Sequence, residues 1–185
     1  MFIAHGVDEN SHWVQGVRYG NKKMYFMEAR SQDRNEKSTV SVWYLKEADI
    51  YSAGGTDFKV DWYRKPGQRS FESIFFTDVS QSLTFGAIDE AGCNDCYEVS
   101  CPMRWIDPGH LSVYAATHER DGARFDALNG YIEDADVRMG GNGTATVGHK
   151  PGLSLRETAG ARFGREGAFS LVCFEVQDQP QNDLQ

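Results

Sequence analysis

The sequence predicts an all-β protein, an antiparallel sandwich or barrel built from hairpins, with one or two short helices at most. Three observations carry that prediction. Aromatic residues form 12% of the 185, Gly occurs 19 times, and long Ala/Leu/Glu/Lys runs are missing, a composition that suits strands and tight turns. Apolar residues recur with a period of two in short segments, the alternation of a pleated strand. Reversals such as Gly20-Asn21, Pro66-Gly67 and Asp121-Gly122 punctuate those segments, and each dipeptide has the backbone freedom a hairpin needs. Strand spacing of this kind implies roughly eight to eleven strands. Residues 1–176 read as a single β-rich domain, long enough to bury its own core. Residues 177–185, polar and almost free of apolar side chains, read as a disordered tail.

The elements follow in order. Trp13 to Tyr19 and Met24 to Arg30 flank Gly20-Asn21. A two-residue loop there sets Arg18 opposite Lys23, a like-charge cross-strand pair that destabilises a ladder. A four-residue loop, Gly20 to Lys23, avoids it and pairs Tyr19 with Met24 and Val17 with Phe26, so the longer loop is expected. A strand is expected over Thr39 to Leu45, and one or two helical turns over Lys46 to Ala53. Asp57 to Tyr63 and Ser70 to Thr77 flank Lys65-Pro66-Gly67-Gln68, where Pro then Gly fit a type II turn. Pairing outward from it opposes Trp62 to Phe71, Val60 to Ser73 and Phe58 to Phe75. Further strands are expected over Leu83 to Ile88, His110 to Glu119 and Thr144 to Gly148. The His110–Glu119 arm turns at Asp121-Gly122 and opposes Glu119 to Arg124, a favourable pair. Phe125, Leu128, Ile132, Ala135 and Met139 recur at helical intervals, interrupted by Asn129-Gly130, so helix and coincidence both remain open over 125–139. In Phe169 to Val176, Phe169, Leu171 and Cys173 share one face and Val172, Phe174 and Val176 the other. Apolar character on both faces marks a strand buried on both sides.

Composition also bounds the partners. Net charge is −8 and the pI about 5.1. The basic residues are scattered, and the densest run, Arg64, Lys65 and Arg69, brackets the Pro-Gly turn. Proteins that neutralise phosphates concentrate their cations, so nucleic acid is not an expected partner. No apolar run approaches the ~18 residues of a membrane span, and the N-terminus lacks a signal-peptide pattern. A cytoplasmic protein with reduced thiols is the expectation.

Four residue sets are candidates to carry chemistry. Cys93, Cys96 and Cys101 fall within nine residues, with Cys173 distant. The spacing C-x2-C-x4-C supplies one zinc knuckle and lacks the second; Cys101 with His110, or Cys173, is needed to complete four ligands. Structural thiols are the first expectation, no cofactor being needed, with zinc as the alternative and a disulfide or redox pair behind it. In the Pro-Gly hairpin Asp61 faces Glu72, close enough to perturb one another and to do acid–base work, and His118 beside Glu119 is a candidate base. The run from Met139 to Thr144 has the glycines of a phosphate loop without its Lys-Ser/Thr, and reads as a mobile loop poised over a binding face. The aromatics Trp43, Tyr44, Tyr63 and Trp105 are candidates to stack on a ligand.

The expected function is therefore a non-enzymatic binding module. It holds a small apolar or sugar-like ligand, or a protein partner, on a sheet face or in a barrel mouth. The alternatives are an acid–base enzyme using Asp61, Glu72 and His118, and a zinc-stabilised interaction domain through Cys93, Cys96 and Cys101. A homodimer formed by an open sheet edge is a further associative possibility.

Overall fold

The computed structural model describes residues 1–7, 13–32, 38–81, 85–104, 110–120, 124–141, 143–153 and 156–178. Thirteen strands and one short helix lie among them. In chain order they are β1 (Phe2–Val7), β2 (Val14–Tyr19), β3 (Lys22–Lys23), β4 (Tyr25–Gln32), β5 (Ser38–Tyr44), α1 (Glu47–Tyr51), β6 (Phe58–Trp62) and β7 (Gln68–Ser73). There follow β8 (Phe85–Arg104), β9 (Leu111–His118), β10 (Phe125–Ala127), β11 (Ile132–Arg138), β12 (Thr144–Pro151) and β13 (Arg156–Val176). All the pairings are antiparallel. The result is a sandwich of several packed sheets and not a closed barrel.

Three sheets form: β4-β5-β1-β7; β3-β2-β6; and a six-stranded sheet in the order β10-β13-β9-β12-β11, with β8 on the other edge of β13. The last is organised by β13, which runs alongside β8 for nearly its whole length. Its first half also pairs with β10 and its second half with β9. The register between β8 and β13 slips between Arg162 and Phe169, and there the two-stranded ribbon folds over. Val99, Cys101 and Met103 of one half then pack on Phe169, Leu171 and Cys173 of the other.

Burial follows from this alternation. One face of the β9/β13/β12 region meets the folded-over ribbon through Tyr114, Ala116, Phe169 and Leu171. The opposite face, through Val113, Ala115, Val147, Val172 and Phe174, meets Met1, Ile3, Val40 and Val42 of the four-stranded sheet. That sheet turns its other face, Phe2, Ala4 and Trp43, toward Val14, Val17 and Met24 of the small sheet. Four layers are thus stacked, and the two-sided burial expected of Phe169 to Val176 is observed. Each fully buried large side chain contributes roughly 1.5–3 kcal/mol.

Several local expectations are corrected. The β2–β3 hairpin has the two-residue turn Gly20-Asn21, so Arg18 does sit opposite Lys23. Gly20 has φ 55° and a side chain there would meet the Gly55 carbonyl; the tight turn needs this glycine, and the exposed cations tolerate their repulsion in water. After two residues the chain leaves for the four-stranded sheet, where β4 pairs with β5 rather than with β2. The Pro66-Gly67 segment joins no hairpin and is not a type II turn, since Gly67 does not have the positive φ that turn requires: β6 pairs with β2 and β7 with β1. The arm after His118 pairs with β13 instead of turning back on β9, and 121–123 lie outside the described residues. The helical interval over 125–139 is coincidence, since β10 and β11 occupy it and Asn129 and Gly130 have φ 58° and 79°. The first strand, β1, is central and buried along its whole length, although no strand is expected there from the sequence. Gln177 and Asp178 are held in place: Ser80 N–H donates to the Gln177 carbonyl and Val79 bridges Asp178. Residues 179–185 lie outside the described residues.

Candidate functional site

A cleft of about 990 Å³ opens where the small sheet meets β7, within the size range of small-molecule sites. It exists because β6 and β7, linked through Pro66-Gly67, go to different sheets. Its apolar lining comes from Phe2, Val17, Phe58, Val60, Trp62 and Phe71. The rings form a row: Phe2 stacks on Phe58 at 4.5 Å and on Phe71 at 5.6 Å, and Trp62 tilts against Phe71 at 6.5 Å. Phe71 stays 44% exposed, leaving a ring available to a ligand. Around them stand four cations, Arg18, Lys23, Lys65 and Arg69, and two acids, Asp61 and Glu72.

Asp61 and Glu72 both belong to the strands that wall this cleft, but they are not cross-strand neighbours and their carboxylates do not meet in it, both Glu72 oxygens being buried behind the wall. Asp61 is paired with Gly16 and exposed. Glu72 is paired with Ile3 and its side chain is only 10% exposed. Behind it lies His5, fully buried, with Nε2 at 3.6 Å from a Glu72 carboxylate oxygen. The Thr117 hydroxyl donates to the Thr39 carbonyl at 3.0 Å, so its oxygen accepts from His5 Nδ1–H at 2.7 Å. That fixes a proton on Nδ1 and turns Nε2 toward the carboxylate.

His118 belongs to another layer. It is fully buried, stacked on Phe163 at 4.0 Å and edge-on to Phe169 at 4.9 Å. Its Nδ1 accepts the Arg120 backbone N–H at 3.0 Å, and burial pulls its pKa down to about 4. It is a neutral core histidine that does not join the two carboxylates.

The cysteines are paired: Cys93 with Cys96 and Cys101 with Cys173. This corrects the expectation of reduced thiols and leaves the zinc alternative without the thiolates it requires. His110 is hydrogen-bonded through Nδ1 to Glu175 at 2.7 Å. Among the described residues no group of three or more His, Cys, Asp or Glu side chains is arranged to hold a metal ion.

Of the aromatic candidates, Trp43 is 4% exposed, donates its indole N–H to Ser41 Oγ at 3.2 Å and packs in the core. It also lines a shallower depression of about 810 Å³ with Trp13, Tyr25 and Phe26. Tyr44 lines a third depression of about 520 Å³ with Phe75, Phe76 and Phe85. Tyr63 is exposed and stacks flat on Trp13 at 4.2 Å. Trp105 lies outside the described residues. The Met139–Thr144 run lies between β11 and β12; Gly140 and Gly141 have φ 78° and 69°, and Asn142 lies outside the described residues. A side chain on Gly143 would collide with Val7, so this turn packs against the end of β1.

Sequence reasoning missed Arg18 and Lys23, and the signal was present. The like-charge register it rejects is the one the chain adopts. No family model matches the chain, and no curated protein or solved structure is significantly similar to it.

Proposed function

We propose that the protein is a non-enzymatic binding module that holds a small ring-bearing molecule, apolar or sugar-like, in the cleft between β6 and β7. The single observation that carries this reading is the row of aromatic rings in a cleft of about 990 Å³, with Phe71 44% exposed. Aromatic faces stack on sugars and on flat apolar rings, and a few polar groups around them fix orientation. Protein-observed NMR with phenyl β-D-glucoside tests it. Shifts are expected to cluster on Val17, Val60, Trp62 and Phe71, and Phe71→Ala is expected to weaken binding by about tenfold, near 1.4 kcal/mol, with the fold intact. Shifts confined to the other depressions, or none, contradict the reading.

A second reading, acid–base catalysis, rests on the buried Glu72 carboxylate beside His5 behind the cleft wall and on Asp61 exposed at the cleft. Under it, a panel of chromogenic aryl glycosides and esters is hydrolysed by the parent and not by Asp61→Asn or Glu72→Gln. A parent that turns over none of them removes it. Neither nucleic acid nor membrane is a partner in these readings, and among the described residues no helix is long and apolar enough to cross a membrane. Homodimerisation through an open edge is a separate proposal that light scattering over a concentration series decides. Two disulfides suit an oxidising compartment better than the cytoplasm.

A further inference from the structure

We propose that the cleft takes a ring-bearing carboxylate, an aromatic or sugar acid in place of a neutral ring, and that Arg18 and Lys23 read its charge. This rests on the binding reading above.

The argument starts from register. Arg18 on β2 is directly opposite Lys23 on β3 and, on its other side, directly opposite Lys59 on β6. Cross-strand partners project to the same face of a sheet, so three cations stand in a row on the face of the small sheet opposite Val17 and Val60, and of the three Arg18 and Lys23 also border the cleft. Like charges placed this way weaken a ladder, a cost that water screens without removing. Among the described residues, none of Arg18, Lys23 and Lys59 has a carboxylate within salt-bridge distance. The chain as a whole carries −8, so these cations gather against the trend of the composition. Positions where a local rule is broken with no internal compensation are where a ligand supplies it.

The cleft joins that charge to an apolar surface. Arg18 and Lys23 line it together with Lys65, Arg69 and the Trp62 and Phe71 rings. A carboxylate between a guanidinium and an ammonium converts their repulsion into charge-assisted hydrogen bonds, and the guanidinium can grip both oxygens. Asp61 stands exposed at the same cleft, and the Glu72 carboxylate is buried behind its wall. A doubly charged phosphate meets roughly twice the repulsion from them that a carboxylate meets. A singly charged acid on a flat ring satisfies both parts of the lining.

The test uses matched probes on the full chain by calorimetry: phenyl β-D-glucuronide, phenyl β-D-glucoside and phenyl phosphate. The glucuronide is expected to bind about tenfold more tightly than the glucoside, an advantage that shrinks as salt is raised. In Arg18→Gln/Lys23→Gln that advantage disappears, the loss of glucuronide affinity exceeding any loss of glucoside affinity about tenfold. With no ligand, the variant's thermal midpoint is expected to equal or exceed the parent's, because a repulsion is removed; Arg18→Gln alone repeats the check. Equal affinities for glucuronide and glucoside would leave the cleft reading standing and overturn the charge assignment. Tighter binding of phenyl phosphate overturns the carboxylate class. A variant that keeps the preference, or melts below the parent, overturns the role of the pair. No binding of any probe overturns this inference and the reading beneath it together.

Discussion

At the scale of single residues, environment decides what a side chain is for. His118 and Asp61 read alike from the sequence as groups fit for proton transfer, yet one is sealed in the core and the other stands exposed at a cleft. His118 has a consequence for stability. Its pKa is lowered by burial to about 4 against an ordinary 6.5, so between those values the unfolded chain binds more protons than the folded one. Stability is then full above pH 6.5, falls as pH drops, and levels off below pH 4, a loss of about 3 kcal/mol. Burial raises the Glu133 and Asp136 carboxyls, which acts with the opposite sign, so the parent must be compared with His118→Phe. Denaturation across that range should show the parent losing more stability on acidification than the variant. Parallel curves contradict the assignment. None of this was legible beforehand, because alternation places His118 on a face without telling whether that face meets solvent or a third layer.

At the scale of elements, strands with apolar residues on both faces were the most legible, and β13 is the clearest. Turn chemistry was legible at Gly20-Asn21, which makes the β2–β3 turn, and not at Pro66-Gly67, where Gly67 lacks the positive φ of a type II turn. Partner choice was not. A turn dictates a local reversal, whereas the strand that pairs with β6 or β7 is set by the long-range fit of Val17 against Val60 and of Ile3 and His5 against the next sheet. The two disulfides divide along the same line. Cys93–Cys96 brackets the fold in the β8–β13 ribbon, where Asp95 has φ 50°, and both residues are partly exposed. Cys101–Cys173 is fully buried and joins the two ribbon halves across the core. Thiolate attack needs access to a sulfur. Dithiothreitol on the folded protein, followed by alkylation and mass spectrometry, should therefore label Cys93 and Cys96 first, with Cys101 and Cys173 labelled only on unfolding. Equal rates for both pairs contradict that. The buried bond closes a sequence separation of 72, so Cys101→Ala/Cys173→Ala should cost about 4 kcal/mol in chemical denaturation.

At the scale of the whole molecule, the fold class followed from composition and period, while the four-layer stack did not. Period two reveals which residues are buried but not how many sheets share them, and a sequence with two buried faces per strand fits a sandwich and a thicker stack equally. The candidate site is a product of that stack, since it lies where adjacent strands part for different layers. The account therefore turns on whether β6 and β7 separate. Backbone nuclear Overhauser contacts across strands decide this directly. Contacts linking Val17 with Val60 and Ala4 with Phe71 are expected from the register. Contacts linking Val60 with Ser73 and Asp61 with Glu72 would restore the local hairpin, close the cleft and contradict the site built on it.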